Sequence, residues 1–302
     1  MNEKPNGTRT ALLSFIASMA VFGTIGIFRK YIILPSGFVA MARGLLGALF
    51  LLAVILFRRR RAEKSTSLRA ALPKLCLSGV LIGFNWILLF EAYRYTTVAT
   101  ATLCYYMAPI LVILASPFLL RERITPRKGI AVALALFGIV LVSGVTEGGG
   151  VGDARGVLLG LGAAALYATI ILLNKTLPAL PPFEKTFVQL GVAGVVLIPY
   201  TLLAEVAFGN AVFSFDLTSL ALLLFLGVVH TGIAYTLYFG AMGKLSAHTV
   251  SIFSYIEPVL AILLSALFLS EPMSTGAAVG AVLILGAALL SELPEREKHK
   301  KI

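Results

Sequence analysis

The stretch FEAYRYTTVATATLCYYMAPILVILASPFLLRE at residues 90–122 aligns without a gap with FGAMGKLSAHTVSIFSYIEPVLAILLSALFLSE at residues 239–271. Eleven of the 33 aligned positions are identical, more than a sequence rich in leucine and alanine gives by chance. The identities that composition explains least are Pro109 with Pro258 and Glu122 with Glu271. Proline disrupts a helix and a charge is costly in lipid, so neither is expected to recur by accident. Two similar halves in a membrane protein are typical of transporters, whose repeats enclose a site that opens alternately to either side.

The composition is that of a membrane protein, because 59% of the residues are apolar and only 13% are charged. About 20 apolar residues cross a bilayer as a helix. Glycine, proline and charged clusters divide the chain into ten such stretches, numbered here as segments 1 to 10. They are residues 9–28, 35–57, 70–92, 97–119, 127–144, 153–174, 181–205, 217–239, 246–270 and 273–291. We therefore expect an all-α polytopic membrane protein, with a first segment that is retained because it lacks a convincing signal-peptide cleavage site.

Basic residues predict how the segments are oriented. If the N-terminus is cytoplasmic, twenty lysines and arginines lie on the cytoplasmic side and four on the other, with Arg43 inside segment 2. This asymmetry predicts an integral protein of the bacterial inner membrane with both termini in the cytoplasm. It also explains the net charge of +11, through contact with anionic lipid rather than with nucleic acid.

The halves are predicted to be residues 1–147, with segments 1–5, and residues 148–302, with segments 6–10. Because five is an odd number, the second half enters the membrane in the opposite sense, and a pseudo-two-fold axis in the membrane plane should relate the two. The glycine-rich residues 146–152 are a plausible flexible linker. Small-residue spacings, Gly156-x-x-x-Gly160 and Gly276-x-x-x-Gly280, suggest close helix contacts.

Pro109 and Pro258 predict kinks near the middle of segments 4 and 9. Each proline leaves the carbonyl four residues earlier, on Tyr105 or Ser254, without its usual hydrogen-bond donor. A free carbonyl at membrane depth has to face protein, water or substrate. Lining a substrate path and a purely structural kink are both compatible with this pattern.

Glu257 is the most informative single residue, since an acidic side chain near the centre of a segment costs about 2.5–3.5 kcal/mol on insertion scales. The aligned residue in the first half is Ala108, so the repeat itself does not require a carboxylate. Glu257 is either a counter-charge for a substrate ammonium or a carboxylate that binds and releases protons. The alternative is an ion pair with Arg43 that only braces the helices.

Further candidates are polar and aromatic residues inside the segments. Aromatic rings stack on apolar solutes and attract ammonium groups, whereas a lone histidine relays protons or simply packs. Together with Ser254 and Glu257, the predicted substrate-binding residues are Asn85, Trp86, Tyr105, Tyr106, His230, Tyr235, Tyr255, Thr24 and Thr169, with Gln189 as a weaker one. Tyrosines assigned instead to the interfacial belt are Tyr93, Tyr95 and Tyr200.

Two other residue types indicate structure. Glu122 and Glu271 end segments 4 and 9, and each is expected to accept hydrogen bonds at the start of the following helix. Cys76 and Cys104 have no ligand-like spacing, so we expect no metal site, no disulfide and no cofactor.

These features together resemble a known family. Ten segments in two halves, Arg43-Gly-Leu-Leu early in segment 2, the Tyr-x-x-Pro of segments 4 and 9, and a glutamate ending each are similar to the drug/metabolite transporter superfamily, specifically its EamA-type exporters. The resemblance covers essentially the whole chain and is strongest to bacterial exporters of aromatic and other neutral amino acids. It implies alternating access through a central cavity, by a monomer or weak oligomer. A broad-range drug/metabolite exporter and a proton-coupled carrier of another small solute are the alternatives.

Other functional classes fit the sequence less well. The chain has no Gly-x-Ser-x-Gly elbow, no His-Glu-x-x-His and no paired intramembrane aspartates, so we expect that it is not an enzyme. An ion channel would normally have a filter loop or rings of like charge.

Overall fold

The computed structural model describes residues 5–58, 67–119, 124–144, 151–178, 180–207, 216–242 and 244–292. Within those ranges every predicted segment is helical and no strand occurs, which confirms the all-α prediction for the described part of the chain. The α-helices are Pro5–Gly23, Ile25–Lys30, Ser36–Arg58, Ser67–Tyr95, Val98–Tyr105, Ala108–Leu119, Pro126–Val142, Val151–Lys175, Pro182–Tyr200, Leu217–Gly227, Ala234–Met242, Ala247–Ser254, Ile256–Phe268 and Thr275–Glu292, with π-helical stretches at Thr201–Ala207 and Val228–Ile233.

Helices in seven of the segments, 1–4 and 6–8, are long and apolar enough to cross a membrane. Segments 9 and 10 contribute shorter apolar helices at Ile252–Phe268 and Thr275–Ser291, and the helix of segment 5 has 17 residues. Large apolar side chains project outward along these helices, as Phe57 and Phe118 illustrate with 86% exposure each. A water-soluble protein rarely exposes so much apolar surface. The molecule is therefore an integral membrane protein.

Helix starts are determined locally by capping side chains. Thr97 and Ser246 occupy aligned positions in the two halves, and their hydroxyls accept hydrogen bonds from the backbone N–H groups of Thr100 and Thr249. Asp216 begins segment 8 in the same way, since its carboxylate accepts from the Ser219 N–H at 3.1 Å. Hydrogen bonds from the Ser219 side chain and from its backbone N–H hold the pKa of Asp216 below its ordinary value.

Segments 4 and 9 are interrupted at corresponding points. One helix ends at Tyr105 and the next begins at Ala108, while in the second half the break falls at Tyr255. Each interruption lies just before a proline, Pro109 or Pro258, whose missing N–H prevents the normal hydrogen bond across the break. Two further irregularities are a turn at Thr24 in segment 1 and the π-helical stretch in segment 8. Each interrupts a segment whose aligned segment in the other half, 6 or 3, is one continuous helix.

The two halves are intertwined. Among the described residues, the most extensive helix contacts join segment 2 to 7, segment 5 to 10, segment 3 to 6 and 7, and segment 1 to 8, so each crosses from one half to the other. The main apolar core lies between segments 1–4 and 6–8, and a second core lies where segments 5 and 10 pack on segment 4. Neither half buries its apolar residues without the other.

Glycines allow these cross-half helices to approach closely. A Cβ atom on Gly44 of segment 2 would lie 2.9 Å from the backbone nitrogen of Gly194 in segment 7. A Cβ atom on Gly280 of segment 10 would lie 2.5 Å from the carbonyl oxygen of Gly138 in segment 5. The predicted close contacts are thus confirmed for Gly280, and also for Gly156 and Gly160, which meet Thr96 and Cys104.

Replacing Gly280 by alanine is expected to destabilise the protein, because the new methyl group meets backbone that cannot move aside. Overpacking of this kind costs about 1–3 kcal/mol. Gly286 in the same helix is the matched control, since a Cβ atom there meets nothing within 4 Å. Glycine to alanine at an open helix position gains up to about 1 kcal/mol. Melting temperatures in one detergent check this, and equal melting of the two variants would contradict the close approach.

Candidate functional site

A cavity of about 510 Å³ lies at the centre of the described helices. Its wall is built by segments 1, 2, 3, 4, 6, 7, 8 and 9. Eight of the eleven predicted substrate-binding residues lie on this wall: Asn85, Trp86, Tyr105, Tyr106, Tyr235, Ser254, Tyr255 and Glu257. Pro109 also reaches the wall, whereas Pro258 is buried beside it.

The other three candidates lie elsewhere. His230 is buried between Phe28 and Phe225, with its Nε2 2.7 Å from the Thr24 hydroxyl. The Thr24 hydroxyl also lies 2.7 Å from the Val21 carbonyl in its own segment. The contact between His230 and Thr24 joins segment 8 to segment 1 and favours the packing alternative for His230.

Thr169 is exposed on segment 6, and its hydroxyl donates to the carbonyl of Ala165 in its own helix. Such a bond satisfies a hydroxyl on the outside of a membrane helix without any partner helix. Thr169 is therefore not among the residues that the structure brings together at the cavity.

Arg43 is a cationic residue of the cavity wall, which sequence reasoning named only as a family feature and as an ion-pair partner. Its side chain is buried, Nε donates to the Thr231 hydroxyl at 2.8 Å, and the guanidinium lies 4.2 Å over the Trp86 ring. Phe90 is a second ring at 5.9 Å. An arginine inside a membrane segment is by itself a signal of function, so the sequence contained the information needed to select it.

Glu257 is half-buried on the same wall, and the Tyr106 hydroxyl faces its carboxyl group. The described residues contain two ion pairs, Lys30 with Glu271 and Arg94 with Glu91, and neither involves Glu257. The hypothesis that Glu257 forms an ion pair with Arg43 and only braces the helices is therefore wrong for this structure. Both residues line the cavity, but they are not in direct contact.

The aromatic part of the wall is larger than predicted. Tyr105 stacks on Tyr167 with ring centroids 5.1 Å apart, and Tyr235 stacks on Phe239 at 5.7 Å. Tyr238 also lines the cavity. Residues 235, 238, 239 and 242 follow the spacing of one helix face, so this face of segment 8 is turned toward the cavity.

Tyr93 corrects one assignment. The sequence places it in the interfacial belt, but it is buried and lines the cavity, because the helix of segment 3 continues past it to Tyr95. Tyr95, by contrast, is 37% exposed at the end of that helix, where a belt residue is expected.

The ends of segments 3, 6 and 7 form a polar end of the cavity. Gln189 donates to the Ser78 hydroxyl at 2.7 Å and to the Asn174 amide oxygen at 3.0 Å. Deeper in, Asn85 donates to the Ala163 carbonyl at 2.6 Å, so its amide nitrogen joins segment 3 to segment 6. Lys185 completes the wall at this end.

Glu271 joins segments of both halves through several contacts of its carboxylate. Its carboxylate contacts the Lys30 ammonium at 2.9 Å and accepts hydrogen bonds from the Ser265 hydroxyl and from the Val98 N–H at 2.7 Å. Lys30 also donates to the Thr96 carbonyl. Glu271 therefore binds the start of a helix in the other half, not the start of the following helix as predicted. Its aligned partner Glu122 lies outside the described residues.

The described ranges contain no cluster of three or more His, Cys, Asp or Glu residues that could hold a metal ion. Cys76 and Cys104 are free thiols. The cavity wall offers aromatic faces, amide groups and the charged side chains of Arg43, Lys185 and Glu257.

Comparison with known proteins adds the following. The model of the EamA-like transporter family matches the chain twice, over residues 9–144 and 154–293. The uncharacterized transporter YxxF of Bacillus subtilis (strain 168) is 30% identical over 287 residues, which cover 93% of this chain and 89% of that protein. Protein RarD of Salmonella typhi is 29% identical over 272 residues, covering 87% and 88%. Protein PecM of Dickeya dadantii (strain 3937) is 26% identical over 75% of each chain.

A solved crystal structure has the same fold. It superposes with a TM-score of 0.61 at 19% sequence identity, covering 94% of this chain and 97% of the other. At this level of identity the match concerns the path of the backbone and not the ligand.

Proposed function

The chain belongs to the EamA-like transporter family, within the drug/metabolite transporter superfamily, and from this premise we propose that it exports aromatic and other neutral amino acids. Related small amphipathic metabolites belong to the same substrate range. Transport proceeds by alternating access, with the substrate held in the central cavity between the two halves.

The observation that carries this proposal is the character of the cavity. Its volume of about 510 Å³ suits a small solute, since ligand sites in proteins are typically about 300–1,000 Å³. Rings of Trp86, Tyr105, Tyr106 and Tyr235 offer faces for an aromatic or aliphatic side chain. Charged and amide groups on the same wall offer contacts for the polar end of an amino acid.

The proposed architecture is ten membrane-spanning segments in two inverted halves, with both termini in the cytoplasm of a bacterial inner membrane. The double match of the family model supports two halves. The helix contacts also support it. In a repeat of five segments, segment 1 corresponds to 6, segment 2 to 7, segment 3 to 8 and segment 5 to 10. The contacts 2–7 and 5–10 therefore join corresponding segments, and the contact 3–6 has its counterpart in the contact 8–1. The corresponding breaks before Pro109 and Pro258 are a third support.

Cysteine labelling tests this topology. Thr176 follows segment 6 and Met273 follows segment 9, so the proposal places Thr176 on the cytoplasmic side and Met273 outside; both are exposed. In a background without the two natural cysteines, a membrane-impermeant maleimide should label Met273→Cys in intact cells and Thr176→Cys only after permeabilisation. Labelling of both positions from one side would contradict the inverted arrangement.

Flux measurements test the substrate class. Sealed vesicles containing the protein should accumulate or release phenylalanine, tyrosine and leucine faster than empty vesicles. The preference among neutral amino acids should be modest, because one methylene in an apolar site is worth only about 1–3 kcal/mol. Absolute specificity for one amino acid, or transport confined to other solutes, would contradict the proposal.

A pH gradient in the same assay tests the alternative of proton coupling, which the presence of Glu257 on the cavity wall favours. Flux that follows an imposed gradient and disappears when it is dissipated would indicate a proton-coupled carrier. Gradient-independent flux would indicate facilitated export.

A further inference from the structure

Arg43 and Glu257 carry opposite charges on the cavity wall, which also includes Lys185, and they do not pair with each other. A half-buried or buried charge without a counter-ion is costly. The ion pairs of the described residues lie elsewhere, at Lys30 and at Arg94. A molecule that brings both an anion and a cation into the cavity would satisfy both residues.

Arg43 is positioned as a carboxylate receptor. Within the described part of the chain, its side chain donates a hydrogen bond through Nε, to the Thr231 hydroxyl. One face of the guanidinium lies over Trp86, which restrains its plane. The two terminal nitrogens are the groups that commonly grip a carboxylate through parallel hydrogen bonds.

Glu257 is positioned as an ammonium receptor. An ionised carboxylate only accepts hydrogen bonds, and an ammonium group offers three donors. The Tyr106 hydroxyl faces the carboxyl group, and the rings of Tyr106 and Tyr255 lie 6.4 Å apart beside it on the same wall. These ring faces add cation–π attraction for a positively charged group.

We propose that the cavity recognises zwitterions, with the substrate carboxylate on Arg43 and the substrate ammonium on Glu257. The side chain of the substrate then lies against the tyrosine rings of the cavity wall. This inference rests on the proposed function and narrows it, because it requires one anionic and one cationic group a few ångströms apart. A ligand with a single charge leaves the opposite protein charge unpaired in the closed cavity, which weakens its binding.

The only tryptophan of the chain, Trp86, reports on this site, because it lies directly beneath Arg43. Its fluorescence in the detergent-purified protein is titrated with phenylalanine, phenethylamine and 3-phenylpropionate, which carry both charges, the cation alone and the anion alone. We expect phenylalanine to bind the natural protein at least about tenfold more tightly than either analogue, a difference equivalent to about 1.4 kcal/mol.

Two variants should change the relative affinities of the three compounds in opposite ways. Arg43→Gln should remove the advantage of phenylalanine over phenethylamine, and Glu257→Gln should remove its advantage over 3-phenylpropionate. Arg43→Lys, which keeps the charge but not the paired donors, should retain part of the preference and serves as a second variant should Arg43→Gln fold poorly. The controls are Arg94→Gln and Glu91→Gln. They remove the same charges from an exposed ion pair and should leave the relative affinities of the three compounds unchanged.

The outcomes are distinguishable. Zwitterion recognition would be overturned if all three compounds bound with equal affinity, or if each variant weakened the binding of all three equally. The proposed function as a broad exporter would be unaffected by either result. If Arg43→Gln and Glu257→Gln changed the affinities as expected but vesicles showed no flux of phenylalanine, zwitterion recognition would be supported and the proposed transport of amino acids contradicted. No fluorescence response to any compound, together with no flux, would overturn both.

Discussion

Replacing Glu257 by glutamine should reduce amino-acid flux in sealed vesicles about tenfold or more while the purified protein keeps its melting temperature. Glutamine preserves the volume of the side chain but carries no charge and releases no proton. A hydrogen bond to a charged group is worth about 1.5–3 kcal/mol and a neutral one about 1 kcal/mol, and a difference of about 1.4 kcal/mol is tenfold. The loss applies whether Glu257 binds an ammonium group or a proton.

The structure explains why the fold should survive this change. If Glu257 only braced Arg43, its loss would leave an unpaired buried cation, which typically costs about 3–5 kcal/mol. Arg43 instead donates to Thr231 and lies over Trp86, and neither contact involves Glu257. If Glu257→Gln lowered the melting temperature and the additional change Arg43→Gln restored it, Glu257 would be shown to brace the helices through Arg43. Normal flux together with normal melting would exclude both roles.

Replacing Glu271 by alanine should lower the stability of the protein more than any other single carboxylate change described for these helices. The substitution removes the acceptor for the Val98 N–H and the Ser265 hydroxyl and the counter-charge for Lys30. Partial exposure of this end lets water replace some of these interactions, so we expect a net cost of about 2–4 kcal/mol. Thermal unfolding in detergent measures it.

The control for this prediction is Glu91→Ala. Glu91 pairs with Arg94 one turn along the same helix, and the Arg94 side chain is 59% exposed. Exposed pairs contribute at most about 1 kcal/mol, so this variant should melt close to the natural protein. If Glu271→Ala and Glu91→Ala melted alike, the contacts of Glu271 across the two halves would not stabilise the fold.

Features that depend on nearby residues were predictable from the sequence. Apolar runs between glycine, proline and charge predicted where helices lie, because a backbone in lipid has to satisfy its own hydrogen bonds within the segment. The breaks in segments 4 and 9 follow from Pro109 and Pro258, since proline lacks the N–H needed four residues on. Trp86 and Glu257 were selected as cavity residues because a polar or amphipathic group deep in a membrane segment has few other places to lie.

Features that depend on which helix faces meet were set by packing between distant parts of the chain. His230 lies against Thr24, 206 residues away, and Glu271 accepts from Val98, 173 residues away. Tyr93 turns inward, and Arg43 lies over Trp86 rather than against Glu257. The segments are apolar on every side, so polarity does not mark the inward face as it does in a water-soluble helix. Close contacts between small residues such as Gly44 with Gly194 and Gly138 with Gly280 determine which faces meet, and these pairs form only once both halves are folded together.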